Sequence, residues 1–202
     1  MKKILNIVTS VKGSESFSIK LSAAILEKLS SVYPNSEVHT RDLANAPLPH
    51  LEETQFAAFQ TPGEKRTDEH NEAIKQSDEA IKELMEADVI VIGVPLYNFG
   101  IPSTLKAWID HIARAGVTFS YETGAPKGLV INKKVYLAIS SGGVYSEGPM
   151  KSYDFTESYL RAVLGFIGMT DVSVFRVEGI FVPALAATAM PKALESVTTH
   201  AF

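Results

Sequence analysis

The 202-residue sequence predicts an α/β protein with a parallel sheet covered by helices on both faces, and three observations lead there. Continuous apolar runs rich in branched residues recur at 4–8, 89–94, 135–139 and 172–177, the character of strands buried on both faces. Stretches with helical spacing lie between these runs, as parallel strands require, because each parallel return needs a crossover and a right-handed helix is its usual form. A hydrophobic share of 46% in a chain of this length supports one sizeable core and is too little chain for two, so one domain spanning 1–202 is expected.

In chain order, the first strand is followed by a helix whose buried stripe is Leu21, Ile25 and Leu29, with Val32 after it. Residues 37–43 are less apolar and read as a flanking strand, the fifth of the sheet. Residues 45–63 hold Pro47, Pro49 and Pro62, few aliphatics, and Phe56 and Phe59, so they read as a long excursion. The charge-rich stretch 64–72 is a solvated approach to the next helix, over 71–85. Beyond the strand at 89–94, Leu105, Trp108, Ile109 and Ile112 mark a helix whose core-facing stripe includes Trp108. Residues 115–132 form a second excursion with Phe119, Tyr121 and three glycines. Loops this long in a compact domain are usually functional, and aromatic content favours that reading.

Several function classes drop out on composition. A net charge of -4, with 19 basic and 23 acidic residues, offers neither a basic stripe for nucleic acid nor a polybasic anchor for membrane lipid. The chain has no cysteine, so any redox chemistry must come from a bound cofactor. The first apolar run is too short for a signal peptide or a membrane span, and the cytoplasm is the expected compartment. His39, His50, His70, His111 and His200 are scattered without ligand spacing and read as surface residues, so no metal site is expected.

In a doubly wound sheet the ligand lies beyond the carboxyl ends of the strands, so the residues after each strand carry the most information. The first strand runs into Ser10-Val11-Lys12-Gly13-Ser14-Glu15-Ser16-Phe17-Ser18, where hydroxyls and the first turn of a helix make an anion site. Helix capping by Ser16 or Ser18 is the plainer alternative. The loop carries neither G-x-x-x-x-G-K-[ST] nor G-x-G-x-x-G, which disfavours triphosphate and dinucleotide cradles and leaves a mononucleotide phosphate. After 89–94 comes Pro95-Leu96-Tyr97-Asn98-Phe99-Gly100-Ile101-Pro102, in which Tyr97 and Phe99 could contact a flat heteroaromatic ring and Asn98 its edge, or the two rings could pack into the core. After 135–139 comes Ser140-Ser141-Gly142-Gly143, where paired glycines let main-chain amides approach a ligand, or form a plain turn. Together the three loops describe a site for a phosphate, a sugar and a flat ring, which is the shape of FMN.

At these residues the chain resembles the FMN-dependent NADH-azoreductases, a branch of the flavodoxin-like quinone reductases. The likeness runs nearly end to end and is carried by Pro95 to Phe99, by Ala113-Arg114-Ala115-Gly116-Val117-Thr118-Phe119, by Ser141-Gly142-Gly143, and by Leu164-Gly165-Phe166-Ile167-Gly168 with Asp171-Val172. The resemblance implies a flavodoxin-like three-layer sandwich with strand order 2-1-3-4-5. It also implies a homodimer with two sites at its interface, and a two-electron ping-pong cycle in which tightly but non-covalently bound FMN is reduced by NADH or NADPH and reduces azo compounds or quinones. It assigns Ser10, Ser16, Phe17 and Ser18 to the phosphate and ribityl end, and Pro95 to Phe99 with Ser140, Ser141, Gly142 and Gly143 to the ring. The flavin carries the hydride, so no catalytic side chain is expected, and Tyr121, Tyr145 and Phe99 are the substrate-side candidates. Phe17 stands where the family often has glutamine or arginine, which makes that contact main-chain, and Val163 stands where some relatives have an aromatic residue.

Three rivals can be weighed. A flavodoxin-type electron carrier usually has a strongly acidic face, whereas this chain is near charge balance and has two aromatic-bearing excursions. A phosphodiesterase would call for metal-ligand clusters or an activated nucleophile. A phosphorylated receiver domain would need an acidic pair where Thr9-Ser10 end the first strand.

Overall fold

The computed structural model describes residues 1–122 and 124–202; Thr123, inside the second excursion, lies outside the described residues. Strand β1 (Lys3–Val8) leads to helix α1 (Phe17–Val32) and β2 (Glu37–Asp42). Three helices follow, α2 (Glu53–Gln60), α3 (Asp68–Ala73) and α4 (Lys75–Glu86), before β3 (Val89–Pro95) and α5 (Ser103–Ile112). A two-stranded hairpin, β4 (Phe119–Ser120) with β5 (Lys127–Gly128), precedes β6 (Lys134–Ser140), α6 (Phe155–Ile167), β7 (Asp171–Val177) and α7 (Ala186–Thr199).

The main sheet has five parallel strands in the order β2-β1-β3-β6-β7, which is 2-1-3-4-5 when the hairpin is set aside. Strand residues alternate between two cores, because successive side chains leave a strand on opposite faces. Leu5, Ile7, Ile90, Ile92, Val135, Leu137 and Ile139 pack with α4, α5 and α6. Ile4, Val89, Val91, Tyr136, Ala138, Phe175 and Val177 pack with α1 and α7. Both faces of the central strands are therefore closed to water, and this explains why they are continuous apolar runs. β2 sits at the edge, largely exposed, which explains its weaker pattern. Trp108 is fully buried, as its helical spacing predicts.

Three expectations need correction. The excursion 45–63 is not irregular throughout: Glu53–Gln60 is helical, closed at its start by reciprocal bonds between Glu52 and Gln55. The helix expected over 71–85 is two helices, divided at Ile74 where the backbone departs to ψ -1. His111 is not at the surface but fully buried, with Nε2 3.0 Å from the Pro49 carbonyl, so it ties the first excursion to α5.

The hairpin at residues 119–128 leans on the end of α6. A Cβ at Gly128 would stand 2.2 Å from the backbone nitrogen of Gly168, the left-handed residue that caps α6, so only glycine permits this approach.

Candidate functional site

Register brings four loops to one edge. Val8 pairs with Gly93, Pro95 with Ser140, and Ser140 with Val177, so the segments after β1, β3, β6 and β7 leave the sheet side by side. The strand order reverses between β1 and β3, the position where a crevice opens in sheets of this kind.

After β1 the chain passes the buried Thr9 and Ser10, makes a single helical turn at Gly13–Glu15, and enters α1 at Ser16. The Ser16 hydroxyl accepts from the Ile19 amide at 3.4 Å and lies 3.0 Å from the Ser18 hydroxyl. Ser16 thus caps the helix and also faces the crevice, so the two readings of this serine are not exclusive. Among the described residues, no group accepts a hydrogen bond from the amides of Phe17 and Ser18. These open donors sit at the positive end of a 16-residue helix, which suits an anion.

After β3, the Leu96 amide donates to the Ser140 carbonyl at 2.8 Å, and Tyr97 and Gly100 exchange two bonds of 3.0 Å. Between them Asn98 and Phe99 have φ of 49° and 69°, both left-handed, forming a tight two-residue turn. For phenylalanine this conformation costs about 1–2 kcal/mol. Strain of this kind is held only where the surroundings enforce it. Here the Phe99 carbonyl accepts from the Phe155 amide at 3.2 Å, and its ring stands 6.3 Å from Tyr145 and 5.6 Å from Tyr153. The turn leaves the amides of Asn98 and Phe99 without an acceptor among the described residues. Neither aromatic is a core residue: Phe99 is exposed, and Tyr97 lines the crevice with its hydroxyl 3.4 Å from that of Ser10.

After β6, the carbonyls of Ser141, Gly142 and Gly143 are taken by the amides of Ile180 (3.4 Å), Phe181 (3.0 Å) and Gly179 (3.0 Å). The amides of Gly142, Gly143 and Val144 have no acceptor among the described residues. A Cβ on Gly142 would meet the exposed Phe181 ring at 2.6 Å, so any larger residue here must displace that ring.

The loops enclose a crevice of about 190 Å³ lined by Ser10, Ser16, Phe17, Pro95, Leu96, Tyr97, Ser140, Ser141 and Gly142 from the expected set. Ser18 is buried just beneath Ser16, while Asn98, Phe99 and Gly143 lie on the adjoining turns without lining it. Lys12, Ile180 and Phe181 also line the crevice and were not foreseen. The Lys12 ammonium lies 5.6 Å from the centre of the exposed Phe181 ring, a contact between the first and last loops. The rule that found the other loops would have found Phe181 had it been applied after β7. Tyr145 is half-buried beside Gly143 and Phe99.

Tyr121 is not brought to the crevice of its own copy. Its ring packs 5.6 Å from Phe119, whose ring lies tilted 4.5 Å from that of Phe166 near the end of α6, whereas Phe155 at the start of α6 bonds the Phe99 turn. With a rise of about 1.5 Å per residue, these two ends of α6 stand roughly 16 Å apart. A larger cavity of about 330 Å³ opens between β1, β2 and α4, where Lys3 pairs with Glu86 at 3.0 Å and His39 with Glu83 at 3.2 Å. Among the described residues there is no cluster of histidines and carboxylates fit to hold a metal ion, and no helix long and apolar enough to cross a membrane.

Comparison with known proteins agrees with this geometry. The family model described as flavodoxin-like fold matches residues 2–201. A protein of Herminiimonas arsenicoxydans named FMN-dependent NADH:quinone oxidoreductase is 50% identical over 194 residues, covering 96% of this chain and 94% of that one. One of the same name from Beijerinckia indica is 45% identical and covers 98% of both. Among solved structures, an azoreductase from Bacillus anthracis str. Sterne superposes with a TM-score of 0.90 at 32% identity, covering 98% of this chain and 97% of its own. An FMN-dependent NADH-azoreductase of the Ames Ancestor strain, solved with FMN, gives a TM-score of 0.83 at 26% identity and covers 98% of both chains. With the family model matching nearly the whole chain and relatives 45–50% identical over almost their full length, this chain belongs to the flavodoxin-like fold family, in the group of FMN-dependent NADH:quinone oxidoreductases and azoreductases.

Proposed function

We propose that the chain is an FMN-dependent oxidoreductase that uses NADH to reduce quinones and azo compounds, the whole chain acting as one FMN-binding domain. The observation that carries this reading is the set of main-chain amides left without acceptors on three adjacent loops, at Phe17 and Ser18, at Asn98 and Phe99, and at Gly142 to Val144. Those amides and the glycine cradle at Gly142 fit a ligand with an anionic end and a flat, polar-edged ring.

Ser10, Ser16 and the amides of Phe17 and Ser18 would hold the phosphate and ribityl chain. Pro95, Leu96 and Tyr97 would lie along the ring, and the amides of Asn98, Phe99, Gly142 and Gly143 would bond its edge. When bound, FMN supplies two-electron hydride exchange, taking a hydride from the nicotinamide and giving it to the acceptor. The protein would bind and orient the ring, and its fixed N–H dipoles would stabilise negative charge at the ring's edge. No side chain need act as nucleophile. The exposed rings of Phe99 and Tyr153, with the half-buried Tyr145 beside Phe99, offer a surface on which flat acceptors could stack.

A homodimer belongs to the proposal, because Tyr121 can stand beside an acceptor only if a second copy supplies it. The proposed compartment is the cytoplasm, where the reduced nicotinamide is held. An electron-carrier role is disfavoured, since the relatives named above are oxidoreductases and the chain lacks a strongly acidic surplus.

The purified protein should carry a yellow chromophore that denaturation releases as FMN and not FAD, and NADH should bleach it before added quinone restores it. Initial rates with NADH and quinone both varied should give parallel double-reciprocal lines. A colourless protein that takes up no FMN on reconstitution would refute the reading, and intersecting lines would refute the substituted-enzyme cycle.

A further inference from the structure

Two turns beside the crevice, at Asn98–Phe99 and at Gly142–Tyr145, belong to different elements, and one partly buried guanidinium connects them. Arg176, near the end of β7, has a side chain only 12% exposed. Its Nη2 donates to Asp154 Oδ2 at 2.5 Å and to Glu157 Oε2 at 2.5 Å, and its Nη1 donates to Glu178 Oε1 at 3.4 Å.

Each carboxylate passes the constraint on. Asp154 caps α6 by accepting from the amides of Thr156 (2.9 Å) and Glu157 (3.2 Å), and this fixes the intervening Phe155, whose amide bonds the Phe99 carbonyl. Glu178 accepts from the amides of Tyr145 (2.8 Å) and Ser146 (2.9 Å) and from the Ser146 hydroxyl (2.5 Å). Tyr145 in turn rests against Gly143 and Phe99. The bonds from Gly179 and Phe181 to the carbonyls of Gly143 and Gly142 continue the same seam.

We infer that Arg176 and Glu178 are positioning residues that hold the Asn98–Phe99 and Gly142–Gly143 amides at the spacing an isoalloxazine edge requires. The inference rests on the FMN reading above and adds residues that touch neither cofactor nor substrate. Three carboxylates converge on Arg176, and Glu157 has a second cation in Arg161 at 2.7 Å, whereas Asp154 and Glu178 depend on Arg176. Lysine cannot replace a planar fork that reaches several acceptors, so the geometry demands arginine.

The test compares Glu178→Gln, Arg176→Ala, Arg176→Lys and Arg161→Gln with the unaltered chain, reading the FMN dissociation constant, the visible circular dichroism of bound flavin, and the melting temperature of the apoprotein. Glu178→Gln should raise the FMN dissociation constant about tenfold, the effect of losing one charge-assisted hydrogen bond. It should also change the dichroism, which reports the asymmetry around the ring, while the apoprotein melts close to the unaltered value. Arg176→Ala should weaken binding further, Arg176→Lys should restore only part, and Arg161→Gln, on the outer side of Glu157, should leave FMN binding as it was. Unchanged affinity and dichroism in Glu178→Gln would overturn the inference even if Arg176→Ala fails to fold. So would a fall in melting temperature with no change in the flavin signals. Failure of the unaltered chain to bind FMN would overturn the functional reading beneath it.

Discussion

Asn98, Phe99 and Gly142 have in common that the proposed site would use their backbone more than their side chains. The left-handed pair at Asn98 and Phe99 spends conformational energy to leave two amides open, and Gly142 leaves room for a close approach. Gly142→Val separates these roles. The added side chain meets an exposed phenyl ring that can swing aside, so the fold should lose less than about 1 kcal/mol and the apoprotein melting temperature should fall by no more than about 2–4 °C. FMN affinity should fall at least about tenfold, because the intruding carbons occupy space the ring would need. Equal losses of thermal stability and flavin would argue that Gly142 does not meet the ligand. At this scale much was legible: Ser10, Ser16, Tyr97 and Gly142 were found from their position after strands, a rule that needs no side-chain detail. The strain at Phe99 was not, since nothing in a phenylalanine announces a positive φ, and the contact of Lys12 with Phe181 was hidden because it joins opposite ends of the chain.

Among the elements, the central strands were legible because burial on both faces leaves unbroken apolar runs, whereas α2 was not. Its eight residues bury little more than Gln55 and Ala58, and its neighbours Pro47, Pro49 and Pro62 signal loop. The break at Ile74 was equally silent, because the helical periodicity runs through it. What holds this region is His111. Its ring is buried with Nε2 on the Pro49 carbonyl and Nδ1 without a partner among the described residues, and burial lowers its pKa from the usual 6.5 by disfavouring the charged ring. Below pH 6.5 the unfolded chain therefore binds a proton that the folded chain resists, so this residue subtracts stability progressively as the pH falls through its folded pKa. The paired carboxylates Glu83 and Glu157 are held below their usual 4.5, against an opposing effect of burial, by the guanidinium groups of Arg41 and Arg176, and so they titrate lower down. Melting temperature should consequently fall between pH 6.5 and 4.5 in the native chain and show a flatter profile in His111→Gln, which cannot take up a proton. An identical slope in both would place the acid sensitivity elsewhere.

For the molecule as a whole, the fold confines the loops of the proposed site and Tyr121 to opposite ends of α6, so that site cannot be complete in one copy if Tyr121 belongs to it. A closed two-fold pair would give two equivalent sites, each joining the loops of one protomer to the tyrosine of the other. Complementation tests this arrangement directly. Tyr121→Ala should bind FMN normally and turn over quinone poorly, and Gly142→Val should bind little FMN. When the two variants are co-expressed, a mixed dimer holds one site with intact loops facing an intact tyrosine, and random pairing gives such sites in roughly a quarter of positions. Quinone reduction by the mixture should then exceed that of either variant alone. If Tyr121 acted within its own copy, every site would carry a defect and mixing would give only the average of the two. Sedimentation that finds a monomer at working concentration would exclude the shared site without touching the assignment of the loops.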